Sequence, residues 1–432
     1  MEWKKELEYK GGAQKRSVYN TGPMLADDSQ GFTEEDSPML LVGDTSKEEY
    51  RAYVEGLEES GFRIVFEHSN EAFCCCQLER EGMLVYVYFT RRTREVRVIE
   101  DRASVALKDF CFAGTEGDSA EIYQYGLYYD PNNSNTPVTT NCGMLYIIRL
   151  EDNSLVMIDG GHRLQCSREA VEGMYAFLRR ITGTKEGERI RIAAWFFTHA
   201  HDDHMAACVR LVRTWPEVFV IERVMFNFLP YTLRASDGDM LILRETLREY
   251  CPEVRCLKLH TGQVITLGNV SFDVMHTHED MVWPECEEVF PVRDFNCSSV
   301  ILKMTTGTGT VMWLGDTSTE TETLAARNIP PALWKSDVVQ IAHHSFNYLT
   351  ILYRLIDADY LMVPNSNYGA HAGSNRHKLM DAEKLLPCPQ NMWYEEKTTG
   401  FRFEEGRYRV ILEEELVGGE HDGTDLYGRQ AI

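Results

Sequence analysis

In the seven residues Thr198-His199-Ala200-His201-Asp202-Asp203-His204, imidazoles and carboxylates follow one another almost without a spacer. Buried in an ordinary core, such groups would repel or desolvate one another, whereas a divalent cation takes neutral imidazole nitrogen and carboxylate oxygen as ligands. His199 and His201, two apart on an extended turn, can chelate one ion from the same side. Asp203 and His204, just beyond, can reach a second. The plain alternative is a solvated polar loop, and the density of ligand-type residues speaks against it.

The flanking sequence is suited to hold this motif at a sheet edge. Residues 192–197 are an apolar run that predicts a buried strand, and Met205, Cys208, Val209, Val212 and Trp215 recur at helical spacing. Strand, tight turn and helix in that order deliver side chains to a strand's C-terminal end, where open α/β sheets place their chemistry. Upstream, 142–148 and 155–158 read as strands, the second running into Asp159-Gly160-Gly161-His162, and 168–181 as an amphipathic helix. Downstream, 218–226 reads as one strand opening into a loop, 227–231, that could line a pocket. A helix over 239–250 and short strands over 255–259, 264–267 and 270–275 follow. The acidic, proline-punctuated stretch 276–296 reads as a long loop, a candidate lid or specificity insertion. Strands at 298–304 and 310–314 pair across Thr306-Gly307-Thr308-Gly309, and the second runs into Gly315-Asp316. A buried strand over 337–342 ends in His343-His344-Ser345.

Residues 1–36 are polar and lack periodicity, which predicts an extended or partly ordered arm. Residues 37–110 read as a small α+β domain. It has a strand at 39–42, capping chemistry at Thr45-Ser46 with Glu48-Glu49, and a helix carrying Tyr50, Tyr53, Val54 and Leu57. Strands over 62–67, 72–78, 83–89 and 95–99 complete it. Cys74-Cys75-Cys76 falls in one of these strands, with Cys74 and Cys76 on one face and Cys75 on the other; a soft-metal or redox site is the sharper alternative. Arg91, Arg92, Arg94 and Arg97 form a basic cluster, either a solvated hairpin tip or a phosphate-contacting patch. The large domain spans 117–415, and 416–432 is an acidic tail.

A chain of 432 residues with 44% hydrophobic content can bury a large core. Lys+Arg 44 against Asp+Glu 67 gives a net charge of −23, a field that repels polyanions and anionic membranes. A small-molecule or short phosphodiester partner is therefore favoured over extended nucleic acid, and no membrane association is expected. The opening Met1-Glu2-Trp3-Lys4-Lys5-Glu6 leads into no apolar segment of the kind that directs export, so a soluble cytoplasmic protein is expected. Twelve cysteines without a Cys-x-x-Cys read as reduced thiols.

Together these residues resemble the signature of the metallo-β-lactamase superfamily. The resemblance implies an α/β fold, a four-layer αββα sandwich, behind the small N-terminal α+β domain. It implies two divalent metal ions, zinc first, with manganese or iron suiting the same ligands. The implied ligands are His199, His201, Asp203, His204, Asp316 as the bridge, and His343, favoured over His344 because it follows its strand directly. Asp159 would orient a ligand instead of binding metal. Within the superfamily the likeness is to the lactamase-like domain of bacterial DNA-uptake (competence) proteins, over roughly residues 117–412. It is carried by Asn296-Cys297-Ser298-Ser299-Val300, Val339-Gln340-Ile341-Ala342-His343-His344-Ser345 and Asn367-Tyr368-Gly369. One departure is that Asn296 stands near the place where many members have a further histidine. His276 or His278 would reach the site only if the acidic loop folds back.

What the resemblance implies for activity is metal-dependent hydrolysis by a metal-activated water, phosphodiesterase-like in the first instance. Asp203 would take the nucleophile's proton, and His371 or His377 would serve the leaving side. An ester, thioester or lactone hydrolase of the same fold is the alternative enzyme. A binding protein whose metal only holds the fold is the alternative from another class. A β-lactamase proper is disfavoured by the missing export signal and turn histidine, and a di-iron oxidoreductase would want a carboxylate at His201.

Overall fold

The computed structural model describes residues 7–19, 38–101, 105–110, 119–127, 143–229, 239–286, 294–365, 392–394, 398–404 and 407–411. They form a mixed α/β fold of three sheets and seven α-helices among the described residues. Within them, no helix is long and apolar enough to cross a membrane.

The N-terminal sheet is antiparallel, in the order Gln14–Tyr19, Pro38–Gly43, Glu95–Glu100, Met83–Thr90, Phe73–Arg80, Arg63–Ser69. Its helix α1, Lys47–Glu59, starts in a capping box: Glu49 N–H donates to Ser46 Oγ and Ser46 N–H donates to Glu49 Oε2. A cap of this kind stabilises a helix by about 1 kcal/mol. The period of two along the strands divides the side chains cleanly. Cys74, Cys76, Val85, Val87, Val96 and Val98 pack with Tyr50, Val54 and Leu57 of α1, whereas Cys75, Tyr86, Tyr88 and Ile99 join the core of the large unit. The cysteine triple is thus split between faces as its strand assignment predicts. All three thiols are buried, and burial pushes Cys75 up to about 12, which leaves it a poor nucleophile or ligand. The arm expected over 1–36 contributes the edge strand Gln14–Tyr19 and buries Leu7 and Tyr9.

Two larger sheets follow. The first central sheet runs Arg255–Lys258, Arg223–Phe226, Ile190–Phe197, Leu155–Ile158, Tyr146–Arg149, Glu121–Gln124, Thr399–Glu404, Arg407–Val410, with Phe219–Ile221 also on Ile190–Phe197. The second runs Val264–Leu267, Val270–His276, Ile301–Thr306, Gly309–Trp313, Val338–Gln340, Tyr360–Val363, Met392–Tyr394. Tyr146, Ile148, Val156, Ile158 and Phe196 share one hydrophobic cluster with Phe272, Leu302, Met304 and Trp313 of the second sheet. Their alternates Leu145, Ile147, Leu155, Met157, Trp195 and Phe197 pack beneath α2 (Arg168–Thr182), α3 (Ala206–Thr214) and α4 (Asp239–Tyr250). Three further helices, α5 (Thr319–Asn328), α6 (Pro331–Trp334) and α7 (Thr350–Ile356), add Ala325, Trp334, Leu352 and Ile356 to the cluster of the second sheet.

The structure departs from the sequence expectations in places that have physical causes. The single strand expected over 218–226 is two, Phe219–Ile221 and Arg223–Phe226. Both pair with Ile190–Phe197 in one register, Ile192 opposite Ile221 and Trp195 opposite Val224, and between them Glu222 N–H donates to Ile192 O. Between 298 and 304 the strand starts only at Ile301, because Phe295–Ser298 forms a 3-10 turn.

The arginine cluster divides: Arg91, Arg92 and Arg94 lie on the hairpin turn between Met83–Thr90 and Glu95–Glu100, with Arg92 and Arg94 exposed, while Arg97 points into the core. Arg97 is fully buried and donates to the Glu279 and Val282 carbonyls, paired with Glu95 and, at 3.6 Å, with Asp280. Arg92 donates to the Ala326 and Ile329 carbonyls, Arg94 to Thr45 O and Arg91 to Ser69 Oγ. The first part of the acidic loop is not a lid: His276 through Met281 are all buried, clamped by Arg97 and Tyr88 of the N-terminal sheet. Residues 287–293 of that loop, and the tail 416–432, lie outside the described residues.

Candidate metal centre

Every described candidate residue sits at the C-terminal end of a central strand or in the turn that follows it. Ile190–Phe197 leads into His199, His201, Asp203 and His204; Gly309–Trp313 leads into Asp316; Val338–Gln340 leads into His343 and His344. Chemistry-bearing residues more than 140 positions apart in the chain are thereby brought to one edge.

Asp316 is the hub. Its Oδ2 lies 3.8 Å from His199 Nε2, 3.4 Å from His204 Nε2, 3.4 Å from His344 Nε2 and 3.8 Å from His343 Nε2. Asp203 bridges the other side, with Oδ1 3.6 Å from His204 Nε2 and Oδ2 3.2 Å from His344 Nε2. His199 Nε2 and His201 Nδ1 are 3.0 Å apart. Two groups compact enough to hold an ion result: Asp203, His204, Asp316 and His344, and beside it His199, His201 and Asp316, with Asp316 common to both.

The backbone that presents these rings is held from beneath. Asp159, itself in the left-handed region at φ 58°, accepts from Thr198 N–H at 2.8 Å and from Thr198 Oγ1, and its Oδ2 is 2.8 Å from His204 Nδ1. That contact fixes His204 so that Nε2 faces Asp316, the orienting role expected of Asp159. Gly315 has φ 55°, and a Cβ there would meet Thr198 and Ser299 at 3.0–3.1 Å, so both conformation and space call for glycine. Gln340 joins two strand ends: its Oε1 accepts from Leu314 and Gly315 N–H, and its Nε2 donates to the Gly315 and Ile341 carbonyls. Sequence reading gave Gln340 no part, and neither did it give one to Ser299, which accepts from Asp316 N–H, or Asn365, which donates to His344 O. A buried amide inside an otherwise apolar strand is the signal that could have found Gln340.

His343, His344 and Ser345 all have positive φ, 51°, 49° and 68°. Three consecutive left-handed residues without a glycine are costly, on the order of 1–3 kcal/mol each. This turn corrects the preference for His343. It carries the His344 ring inward, buried between Asp203 and Asp316, and leaves His343 26% exposed on the rim, where its Nε2 is 3.3 Å from Asn296 Nδ2. His276 and His278 do not reach the site; His278 Nε2 bonds Asn227 Oδ1 instead. His371, His377 and the stretch Asn367-Tyr368-Gly369 lie outside the described residues. Asn227, expected to help line a pocket, is buried and donates to Leu259 O and Glu279 Oε1.

Charge explains why these groups tolerate burial. Desolvation alone would protonate Asp316 and Asp203, but the surrounding imidazoles outweigh it and hold both carboxyls below the usual range. Burial disfavours the imidazolium of His344, yet Asp316 and Asp203 push its pKa up to about 10; the same carboxylates with Asp159 raise His204. Burial and the neighbouring His204 push His199 the other way, well below its ordinary value. The donor set fits divalent cations on geometry as well. His204 Nε2, His344 Nε2 and Asp316 Oδ1 are buried without a hydrogen-bond partner, although carboxylate oxygens stand 3.2–3.6 Å from the two nitrogens. Lone pairs that converge on a point without aligning on each other are what a ligand set looks like.

No family model and no curated protein matches the chain. Among solved structures it is similar to the metallo-β-lactamase fold protein YhfI from Bacillus subtilis, at 13% identity and a TM-score of 0.37 over 64% of this chain and 95% of that one. It is also similar to Zn(2+)-bound PqqB from Methylobacterium extorquens, at 12% identity and a TM-score of 0.32 over 51% and 71%. A third is Tm1679, a metal-dependent hydrolase of the β-lactamase superfamily, at 11% identity and a TM-score of 0.33 over 66% and 98%. These likenesses are distant, and the chemistry of the site rests on its own geometry.

Proposed function

We propose that the chain is a metal-dependent hydrolase of the metallo-β-lactamase type, acting on phosphodiesters. The observation that carries this reading is the convergence of His199, His204, His343 and His344 on one oxygen of Asp316, with ligand atoms buried and unsatisfied. His199, His201 and Asp316 would hold one divalent ion, and Asp203, His204, Asp316 and His344 the other, zinc first among the candidates. Such ions supply Lewis acidity and an activated water.

The chain's own residues then divide the remaining work. Asp203, 16% exposed between His204 and His344, would take the proton released when water attacks. Asp159 and Thr198 keep the His199–His204 turn rigid, so that the donors are set before substrate arrives. His343 and Asn296 stand on the rim as polar groups able to meet the oxygens of a bound substrate or the leaving side. The leaving-side role proposed for His371 or His377 is tested with the same assay. Support for phosphodiesters over carboxylic esters comes from the competence-like stretches 296–300 and 339–345.

The test is hydrolysis of bis(p-nitrophenyl) phosphate beside thioester and lactone substrates, before and after chelation, in wild type and Asp316→Ala. The reading expects diester turnover that chelation abolishes and that the variant lacks by at least about a hundredfold. Turnover of thioester alone would move the chain to the ester-hydrolase class. Full diesterase activity in Asp316→Ala would remove Asp316 from the chemistry.

A further inference from the structure

Helix α3 leaves the metal centre and carries Arg210 and Arg213 three residues apart, with no acidic residue along its nine positions. Both guanidiniums are on the exposed side, and Arg163, from the turn beside the centre, stands with them. These three arginines surround a cleft of about 250 Å³ floored by Met205, Val209 and Ile242. Arg210 also lines an adjoining cleft of about 420 Å³ together with Trp215 and the Arg168–Glu172 ion pair. Trp215 stacks on Tyr175 with ring centroids 4.5 Å apart.

Several arginine clusters of this acidic protein are neutralised by carboxylates. In a cavity of about 940 Å³ at turns remote from the metal centre, Arg149 is paired with Glu121 and both Arg402 and Arg409 with Glu404. The α3 groove differs. Among the described residues no carboxylate pairs with Arg210, and Arg213 donates to the neutral Thr246 Oγ1. Arg163 reaches Asp202 only at 3.8 Å. The first N–H groups of α3 are not available to an anion, since Ala206 and Ala207 donate to the Gly161 and Gly160 carbonyls. The guanidiniums must therefore do the binding.

We propose that this groove is an exosite for a short single-stranded nucleic acid. Its phosphates would lie along Arg163, Arg210 and Arg213 and its bases against the apolar floor and toward Trp215. The rise of an α-helix places Arg210 about 6 Å and Arg213 about 10 Å along the axis from Ala206 at the start of α3. A mononucleotide in the centre cannot span that length, whereas a strand of several nucleotides can. Guanidiniums over apolar and aromatic surface form the combination that holds single strands without reading sequence. The net charge of −23 confines attraction to this local patch and so selects short strands over long polyanions. The inference rests on the phosphodiesterase reading for the strand's relevance, but binding at the groove needs no turnover.

The experiment is fluorescence anisotropy with a labelled single-stranded DNA of about 12 nucleotides, in chelator, over a range of salt. Wild type is expected to bind. Arg210→Glu with Arg213→Glu should weaken binding about tenfold or more and lower the salt slope by about 1.4, the share of two lost phosphate contacts. The charge-matched pair Lys47→Glu with Arg51→Glu on α1, far from the groove, should stay within about twofold. No binding by wild type, or equal weakening in both pairs, overturns the proposal. Inorganic polyphosphate of equal charge competing as well as DNA overturns the part given to the apolar floor. Binding without hydrolysis would sink the phosphodiesterase reading and leave the groove; hydrolysis of the small diester with groove-independent DNA binding would sink the groove alone.

Discussion

Four imidazoles around a single carboxylate oxygen set the electrostatics of the Asp316 neighbourhood. In metal-free protein His204 and His344, both with raised pKa values, carry protons at neutral pH, the latter with a pKa of about 10. A metal ligand must be the neutral imidazole, so the ion and the protons compete. Affinity should therefore rise with pH between about 6 and 9, and binding should release protons in proportion. Calorimetry in buffers of different ionisation enthalpy measures this, and a pH-independent affinity would show that neither imidazolium faces the ion. The two adjacent histidines separate in the same way: His344→Ala should lose about one equivalent of bound metal, whereas His343→Ala should keep both and lower turnover. Metal content after dialysis distinguishes them. The sequence displayed His199, His201, Asp203, His204 and Asp316 openly, because each follows an apolar strand. It could not rank His343 against His344, since the left-handed run over 343–345 contains no glycine to announce it.

At the scale of elements, the segment His276–Met281 is where sequence and structure diverge most. Read as a loop, it is instead a buried strap between the N-terminal sheet and the central sheets, and its polar groups are matched by Arg97, Tyr88, His260 and Asn227. Acidic composition suggested exposure; nothing local reveals that an arginine from the N-terminal sheet, 182 residues distant from Glu279, supplies the counter-charge. Arg97→Met should cost about 3–5 kcal/mol of unfolding free energy, because Asp280 and two carbonyls lose a buried partner. Urea denaturation measures it, and a loss below about 1 kcal/mol would make the clamp incidental.

The strap also carries a pH dependence. Burial lowers the pKa of His278 to about 4. As pH falls below about 6.5 the unfolded chain takes up this proton while the folded one does not, so stability declines toward pH 4 and levels off below it, by about 3 kcal/mol from this group. His278→Gln should remove that part of the acid limb. Identical limbs in thermal melts would contradict it. Periodicity was a better guide to the elements themselves: α4 falls on the residues predicted, and the cysteine triple divides between faces as alternation requires. The break at Glu222 was hidden, because Phe219–Ile221 and Arg223–Phe226 keep one register on the same neighbouring strand and read as a single run.

For the whole molecule, the N-terminal sheet is not a freely hinged appendage, since one of its faces belongs to the same core as the central sheets. Unfolding should consequently be one cooperative transition for both. Metal should raise its midpoint: at an ion concentration about a hundred times Kd the stabilisation is about 2.7 kcal/mol, and chelation should remove it. The convergence of three strand ends on Asp316 is the claim on which the rest depends, and counting bound ions tests it most directly. Metal analysis of wild type and Asp316→Ala after equilibrium dialysis should give about two ions per chain in the first and fewer than about one in the second. Retention of both ions by Asp316→Ala would contradict the account.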